Sequence, residues 1–125
     1  MSVGEKAAGH DLFSIRGKNA LVTGGTAGIG RGVARHFVEQ GAHVVITGRR
    51  DNGGEVAADI RATFVRMDVS DEASVGAAIE AAAGHFAGRI DTLILNAGVD
   101  LRVGSIDALD LAAFRRLFDV NLFGL

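Results

Sequence analysis

The sequence predicts an α/β domain built on a parallel sheet with helices packed on both faces. Three observations predict it. Short apolar runs alternate with longer segments of helical period, and the short runs are apolar throughout rather than alternating with polar residues. The chain also has no cysteine, so it is not a disulfide-stabilised scaffold. Strands buried on both faces read as continuous apolar runs, and β-α alternation is typical of parallel sheets joined by right-handed crossovers. We therefore expect a doubly wound sheet whose first four strands lie in the order 3-2-1-4.

Four short apolar runs are predicted to be the strands. Each is rich in aliphatic or β-branched residues, which fit a pleated surface that is covered on both sides. The runs are Asn19–Thr23, His43–Thr47, Thr63–Met67 and Thr92–Leu95.

Three helices are predicted between these strands. The first covers Ile29–Gln40, has one apolar side, and stops at Gly41. The second, Gly53–Arg61, is short and weakened by its glycines, because each glycine in a helix interior costs about 0.5–1 kcal/mol. Ser70 is predicted to cap the third helix, which extends through Phe86 and has two acidic residues in its first turn.

A fourth helix is predicted to begin at Asp110 and to stay periodic up to the last residue. Its apolar positions are Leu111, Phe114, Leu117, Phe118, Leu122 and Leu125. A sheet that ends at the fourth strand also leaves an apolar edge unpaired. We therefore expect residues 17–125 to be the N-terminal half of a larger, here incomplete, domain that follows an arm at residues 1–16. A naturally short protein that assembles with another chain is the alternative.

The composition narrows the classes of partner. The net charge is −2 with both signs mixed, which indicates neither nucleic-acid nor membrane partners. No apolar run approaches the ~18 residues of a membrane span, and no targeting segment is recognised, so a cytoplasmic location is expected. The four histidines are scattered and cysteine is absent, so no metal site is expected.

The stretch LVTGGTAGIGRG, residues 21–32, joins the first strand to the first helix and contains five glycines. A helix N-terminus leaves about four backbone N–H groups unpartnered, so it suits a phosphate that no side chain blocks. The hydroxyls of Thr23 and Thr26 are expected to add donors, and Gly30 to let the helix pack close to the sheet. An ordinary tight turn, the alternative, needs only one or two glycines. The candidate cofactor-binding residues here are Thr23, Gly24, Thr26, Ala27, Gly28, Ile29 and Gly30.

Further landmarks follow in order along the chain. The glycines have the spacing T-G-x-x-x-G-x-G, Asp68-Val69 ends the third strand, Asn96-Ala97-Gly98 closes the fourth, and Asn121 stands in DVNLFG. With these landmarks the chain resembles the short-chain dehydrogenase/reductase family from about Gly17 to its last residue. The resemblance implies a Rossmann-type fold, a nicotinamide cofactor, and hydride transfer between that cofactor and a carbonyl or alcohol substrate.

The resemblance also implies roles for these residues. Asp68-Val69 would hold the adenine ring, Asn96-Ala97-Gly98 would lie beneath the cofactor, and Asn121 would be the asparagine of the catalytic Asn-Ser-Tyr-Lys tetrad. Each has a plainer alternative. Asp68 could cap a turn. Asn96 could have a purely structural role, in which its side chain forms hydrogen bonds to loop backbone across the sheet. Asn121 could be a core amide with satisfied hydrogen bonds.

The end of the second strand bears on the choice of cofactor. An acid there binds the ribose 2′-hydroxyl of NAD, whereas an arginine accommodates the 2′-phosphate of NADP. The acid position corresponds to Gly48, and Arg49 follows with Arg50 beside it. A guanidinium suits phosphate, so the sequence favours NADP, with NAD possible. Asp51 lies close by, Ala27 stands where many NADP-preferring relatives carry a second basic residue, and the two arginines could be only a solvated loop.

The groups expected to carry the proton chemistry are missing. The sequence has no tyrosine, and its two lysines, Lys6 and Lys18, come before or at the first strand. Only the asparagine of the tetrad is present, so these 125 residues alone are expected to be inactive. The family resemblance also implies a homo-oligomer, dimer or tetramer, formed through the helix that holds Asn121.

Two other functions stay open. One is a non-catalytic dinucleotide-binding module or pseudoenzyme that pairs with another chain. The other is a different Rossmann enzyme, such as a sugar-nucleotide epimerase or a methyltransferase. The glycine spacing argues against an epimerase, since Ala27 stands where such enzymes usually have glycine. The substrate and the physiological direction are not indicated.

Overall fold

The computed structural model describes residues 12–125, which form one parallel sheet with helices on both faces. The elements are β1 (Asn19–Val22), α1 (Gly28–Glu39), β2 (His43–Gly48), α2 (Gly53–Ile60), β3 (Thr63–Arg66), α3 (Glu72–His85), β4 (Thr92–Ile94), a 3-10 turn (Ile106–Ala108) and α4 (Leu111–Asn121). The strand order is β3-β2-β1-β4, which confirms the predicted doubly wound order.

The strand register brings the carboxyl ends of the strands to one edge. In the middle of the sheet Leu21 of β1 pairs with Val45 of β2 on one side and with Leu93 of β4 on the other. Val45 in turn pairs with Thr63, where β3 begins. Because all pairs are parallel, the loops after β1, β2, β3 and β4 meet at the same edge, where ligands of open α/β sheets bind.

Two core layers form because successive strand residues point to opposite faces of the sheet. Val22 and Ile46 face one layer, which α1 and α2 complete through residues such as Ala34 and Ile60. The other layer lies under α3 and is made by Leu21, Val45, Ala82 and Phe86. β1 and β2 are thus buried on both faces, as expected. The expectation is wrong for β4, which lies at the edge of the sheet, where Leu93 is 47% and Leu95 50% exposed.

The cap of α3 is one residue later than predicted. Asp71, not Ser70, is the N-cap, because its Oδ1 accepts hydrogen bonds from the backbone N–H groups of Ala73 at 3.0 Å and Ser74 at 3.4 Å. The hydroxyl of Ser70 instead donates to Oδ1 of Asp68 at 2.6 Å. Neighbouring serine and aspartate residues are both good caps, so the sequence alone did not separate them.

The last helix is shorter than its apolar period indicated. Asp110 caps it as predicted, but α4 ends at Asn121, and the N–H groups of Leu122 and Phe123 both donate to the carbonyl of Phe118 at 3.0 Å. The chain then turns so that a Cβ on Gly124 would lie 2.8 Å from Cγ2 of Val69. Apolar spacing does not report where the backbone leaves the helix.

The segment before β1 is attached to the domain. Ile15 packs against the core layer of α1 and α2, and the N–H of Gly17 donates to the carbonyl of Gly41 at 2.8 Å. Residue 15 therefore belongs to the packed domain although it falls in the expected arm at residues 1–16. Residues 1–11 of that arm lie outside the described residues. Within residues 12–125 no helix is long and apolar enough to cross a membrane.

Candidate functional site

The turn between β1 and α1 is built by close backbone approach. Gly24 has a positive φ of +65°, and a Cβ there would lie 2.8 Å from Cα of Ala97 in the loop after β4. A Cβ on Gly30 would collide with the carbonyl of Gly24 and the side-chain amide of Asn96. The first turn of α1 therefore packs directly against this junction, as expected for Gly30.

The N-terminus of α1 is left open by its cap residue. Ala27 is the N-cap, and it has no side chain that could accept a hydrogen bond from the first-turn N–H groups. Ala27 and Gly28 both line the cleft at the carboxyl edge of the sheet. Uncapped N–H groups at a helix start attract anions, so this end of α1 suits a phosphate.

Thr23 and Asn96 hold the turn in place. The Thr23 hydroxyl oxygen accepts hydrogen bonds from the N–H groups of Asn96 and Ala97, each at 3.0 Å, and donates to the carbonyl of Ile94 at 3.4 Å. Nδ2 of Asn96 donates to the carbonyls of Thr23 and Gly24, each at 3.2 Å. The expected donation from Thr23 to a phosphate is therefore wrong, because this buried hydroxyl already serves the protein.

An open cleft of about 620 Å³ lies above this junction. That volume is in the range of small-molecule and cofactor sites. Its walls are formed by Gly24, Thr26, Ala27, Gly28, Thr47, Gly48, Arg49, Arg50, Met67, Val69, Asn96, Ala97, Gly98, Val99, Asp100 and Val120.

Most of the predicted cofactor residues line this cleft. They come from all four strand ends: Gly24, Thr26, Ala27, Gly28, Arg49, Val69, Asn96, Ala97 and Gly98. Thr23, Ile29, Gly30 and Asp68 do not line it. Thr23 and Gly30 are buried beneath the turn, whereas Ile29 is 79% exposed at the start of α1.

Asp68 turns its carboxylate toward its own loop. Its Oδ1 accepts hydrogen bonds from the backbone N–H of Ser70 at 3.0 Å and from the Ser70 hydroxyl. These two bonds hold the pKa of Asp68 below its ordinary value, partial burial opposes them, and the charge of Arg49 lowers the pKa a little further. Asp68 thus caps a turn, as its plainer interpretation expects, and it lies within the electrostatic reach of Arg49.

Asn121 fixes the loop that follows β4. Its Oδ1 accepts a hydrogen bond from the N–H of Val99 at 2.7 Å, and its Nδ2 donates to the carbonyl of Val99 at 2.8 Å. The residue is exposed at the end of α4, so the interpretation as a core amide is wrong. Asn121 does not line the cleft itself, but Val99, which it holds, does.

Several wall residues were not predicted from the sequence as cofactor-binding residues. They are Thr47, Gly48, Arg50, Met67, Val99, Asp100 and Val120. The ends of β2 and β3 could have been found by extending the predicted strands to the common edge. Val120 could not, because only the packing of α4 brings it there. Thr47 is 1% exposed, and its hydroxyl has no hydrogen-bond partner among the described residues.

Within residues 12–125 no group of three or more His, Asp or Glu side chains is placed to hold a metal ion. The ligand-binding features of this edge are instead an uncapped helix start, small residues and arginines.

The fold and the cleft together define a Rossmann-type dinucleotide-binding domain, with its first helix opening on a glycine turn. The family model for short chain dehydrogenases matches residues 18–125, and the chain belongs to that family, whose members bind NAD or NADP.

Curated relatives and solved structures agree with this assignment. The chain is 43% identical over 115 residues to an NADP-dependent (R)-specific alcohol dehydrogenase of Lentilactobacillus kefiri, covering 88% of this chain and 45% of the relative. It is 42% identical over 110 residues to a cis-4-hydroxycyclohexanecarboxylate dehydrogenase of Sinomonas cyclohexanicum, covering 84% of this chain and 44% of that relative. A 3-ketoacyl-(acyl-carrier-protein) reductase from Brucella melitensis, solved with NADH, superposes with a TM-score of 0.82 at 41% identity, covering 89% of this chain and 47% of that one. The chain spans less than half the length of these relatives.

The close contact at Gly30 gives a test of the junction. Gly30→Ala should lower the free energy of unfolding by about 1–3 kcal/mol, because the added methyl overpacks a rigid backbone contact. It should also weaken NAD(P) binding, by about tenfold if the shift of α1 removes ~1.4 kcal/mol of contacts to the phosphates. Urea unfolding and cofactor fluorescence titration measure the two effects.

Gly32→Ala is the matched control. Gly32 lies in the same helix, and a Cβ there meets no atom within 4 Å. Alanine should stabilise the helix by about 0.5–1 kcal/mol at this position and leave cofactor affinity unchanged. Equal unfolding midpoints for Gly30→Ala and the unsubstituted protein would contradict the tight junction.

Proposed function

We propose that the protein is an NADP(H)-preferring oxidoreductase that transfers hydride between the nicotinamide and a carbonyl or alcohol substrate. One observation carries the proposal: the uncapped start of α1 and the guanidinium of Arg49 line the same cleft. The first suits a pyrophosphate, and the second suits the 2′-phosphate that distinguishes NADP from NAD.

The residue before Arg49 supports the preference for NADP. A Cβ on Gly48 would lie 2.8 Å from Cγ2 of Thr26, so an acidic side chain fits there only if Thr26 moves. The nearby acid Asp51 does not line the cleft, and its Oδ1 lies 3.2 Å from Nη1 of Arg66. Arg50 lines the cleft and supplies a second cation that Ala27 does not.

The relatives leave the cofactor open at the level of the family. The alcohol dehydrogenase of L. kefiri is described as NADP-dependent, whereas the B. melitensis reductase was solved with NADH. The preference proposed here therefore depends on Gly48 and Arg49 of this chain.

The chemistry divides between the cofactor and the protein. The nicotinamide ring, when bound, supplies or takes up the hydride. The described residues would hold the dinucleotide: the start of α1 its pyrophosphate, Val69 and Val99 its apolar parts, and Arg49 its 2′-phosphate. Asn96 and Asn121 keep these loops in position through their hydrogen bonds to backbone.

We further propose that the proton chemistry requires residues outside this sequence. The sequence contains no tyrosine, and Lys18 precedes β1, at the edge of the sheet opposite the cleft. A general acid must lie within hydrogen-bond reach of the atom that it protonates. Residues 17–125 would then be the cofactor-binding half of the enzyme.

A non-catalytic dinucleotide-binding module is the second candidate. Two hydrogen bonds between Asn121 and Val99 favour it. They give Asn121 a structural role, which a protein that only binds the dinucleotide would also need. The presence of Asn121 therefore does not by itself separate enzyme from module.

Activity separates the two candidates. The full-length protein should reduce members of a panel of ketones and aldehydes with NADPH, whereas the 125-residue chain, purified and verified by intact mass, should not. Loss of NADPH absorbance measures both. Turnover by the 125-residue chain would overturn the proposal about the proton chemistry, and no turnover with cofactor bound to the full-length protein would favour the module.

Arg49 tests the cofactor preference. Arg49→Ala should weaken NADPH binding about tenfold to hundredfold, because hydrogen bonds to charged groups contribute about 1.5–3 kcal/mol. NADH binding should change little. The control is Arg35→Ala, which removes the same charge from the exposed face of α1, where Nε of Arg35 lies 3.9 Å from Oε1 of Glu39. Equal losses for NADPH and NADH in Arg49→Ala would contradict the assignment of the 2′-phosphate to this residue.

We propose, finally, that α4 contributes to a homo-oligomer. The spacing of Leu111, Phe114 and Phe118 puts them on one side of α4, where they are 65%, 38% and 41% exposed. An apolar surface of this kind marks an interaction site. Analytical ultracentrifugation of the full-length protein should show a dimer or tetramer, and Phe118→Glu should dissociate it. A monomer at micromolar concentration would refute the proposal.

A further inference from the structure

A second, smaller cavity adjoins the cofactor cleft and contains an arginine that the proposed function does not use. It has a volume of about 130 Å³ and lies between α4 and the loop after β4. Arg49, Val99, Asp100 and Val120 form walls of both cavities, so the two spaces share a boundary. Arg116 of α4 lines only the smaller one.

The position of Arg116 follows from the helical repeat. Ala113, Arg116, Leu117 and Val120 all line the small cavity, and their spacing of three and four residues places them on one face of α4. Leu117 therefore belongs to the face toward the cavity, although the helical period of the sequence groups it with Leu111, Phe114 and Phe118. Arg115 does not line either cavity.

The charges around the small cavity indicate an anionic occupant. Arg49 and Arg116 both line it, and among residues 12–125 neither forms an ion pair with an acidic side chain. The acid in the wall, Asp100, has its Oδ2 3.3 Å from Nε of Arg102. Two like charges at one small cavity repel each other, and an anion between them relieves that repulsion.

The size and lining of the cavity fit a phosphate group. A volume of about 130 Å³ is well above the ~10–15 Å³ that a single water molecule needs. Four further wall residues are the aliphatic Val99, Leu101, Leu117 and Val120, and both arginines are exposed to solvent. Guanidinium groups also match the oxygens of a phosphate with paired hydrogen bonds.

We propose that Arg116 is a specificity-determining residue that binds, together with Arg49, the 2′-phosphate of NADP. The inference rests on the proposed function, because Arg49 must face the adenosine half of the dinucleotide. It adds a cation from α4 to those of Arg49 and Arg50 in the loop after β2. A phosphate held between β2 and α4 would contact two elements that the cleft otherwise separates.

The test compares NADPH and NADH affinities of full-length variants by fluorescence titration. Arg116→Ala should weaken NADPH binding about fivefold to tenfold and leave NADH binding within about twofold, so the ratio of the two affinities falls. Arg116→Lys should restore most of the ratio, because a phosphate also accepts a point charge. Alanine is a strong helix former, so neither variant is expected to unfold α4.

Arg115→Ala is the matched control, since it removes the same charge one residue away, from a position outside both cavities. It should leave the ratio of NADPH to NADH affinity unchanged, even if it alters assembly.

An equal loss of NADPH and NADH affinity in Arg116→Ala would overturn the proposal and would place the adenine ring against Arg116. An unchanged ratio in Arg116→Ala would overturn it too. If Arg49→Ala also leaves the ratio unchanged, the NADP preference itself fails, whereas a lower ratio in Arg49→Ala alone rejects only the role of Arg116.

Discussion

The hydrogen-bonded junction between Thr23 and Asn96 is the constraint on which the rest of the site depends. It ties the carboxyl ends of β1 and β4 through five bonds that involve the Thr23 hydroxyl and carbonyl, the backbone N–H groups of Asn96 and Ala97, and the Asn96 amide. All five lie among groups that are buried or half-buried, where an unmade bond costs more than a made one gains. The junction therefore fixes the loops on which the cofactor would rest before any cofactor binds.

The glycines next to this junction follow from it. Because the Asn96 amide reaches over to the carbonyl of Gly24, no Cβ fits at residue 30, and Gly24 itself must adopt a positive φ beside Ala97. The start of α1 is thereby placed at the floor of the cleft with its N–H groups unpartnered by a capping side chain. Glycine is destabilising in most helices and turns, but here it is required, because the helix, the turn and the Asn96 amide pack too closely for a Cβ at residue 24 or 30.

The sequence predicted the fold better than it predicted individual contacts. Strand order, element types and the common edge of the sheet follow from apolar periodicity and handedness, which many residues specify together. Contacts of single side chains were harder. Thr23 was expected to donate a hydrogen bond to a ligand, but its hydroxyl oxygen accepts hydrogen bonds from backbone N–H groups. The sequence does not separate these two roles, because a threonine hydroxyl can fill either. Asp71 took the capping role expected of Ser70, whose hydroxyl donates to Asp68 instead. Val120 lies in the cleft through the packing of α4, which local spacing does not report.

The carboxylate of Asp68 adds a negative charge close to the arginine of the cleft. The depressed pKa of Asp68 means that its ionised form is favoured in the folded state, so its contribution to stability is present above its unfolded value of about 3.9 and is lost as pH falls through the folded pKa. At neutral pH Asp68 is a carboxylate within reach of Arg49, and it would repel a phosphate there. Its oxygen instead faces Ser70, and the residue lies outside the cleft wall, so the loop geometry limits that repulsion. Under the proposed function, Gly48 and Arg49 would select the dinucleotide, and Arg116 on α4 would offset the negative charge that Asp68 places beside Arg49.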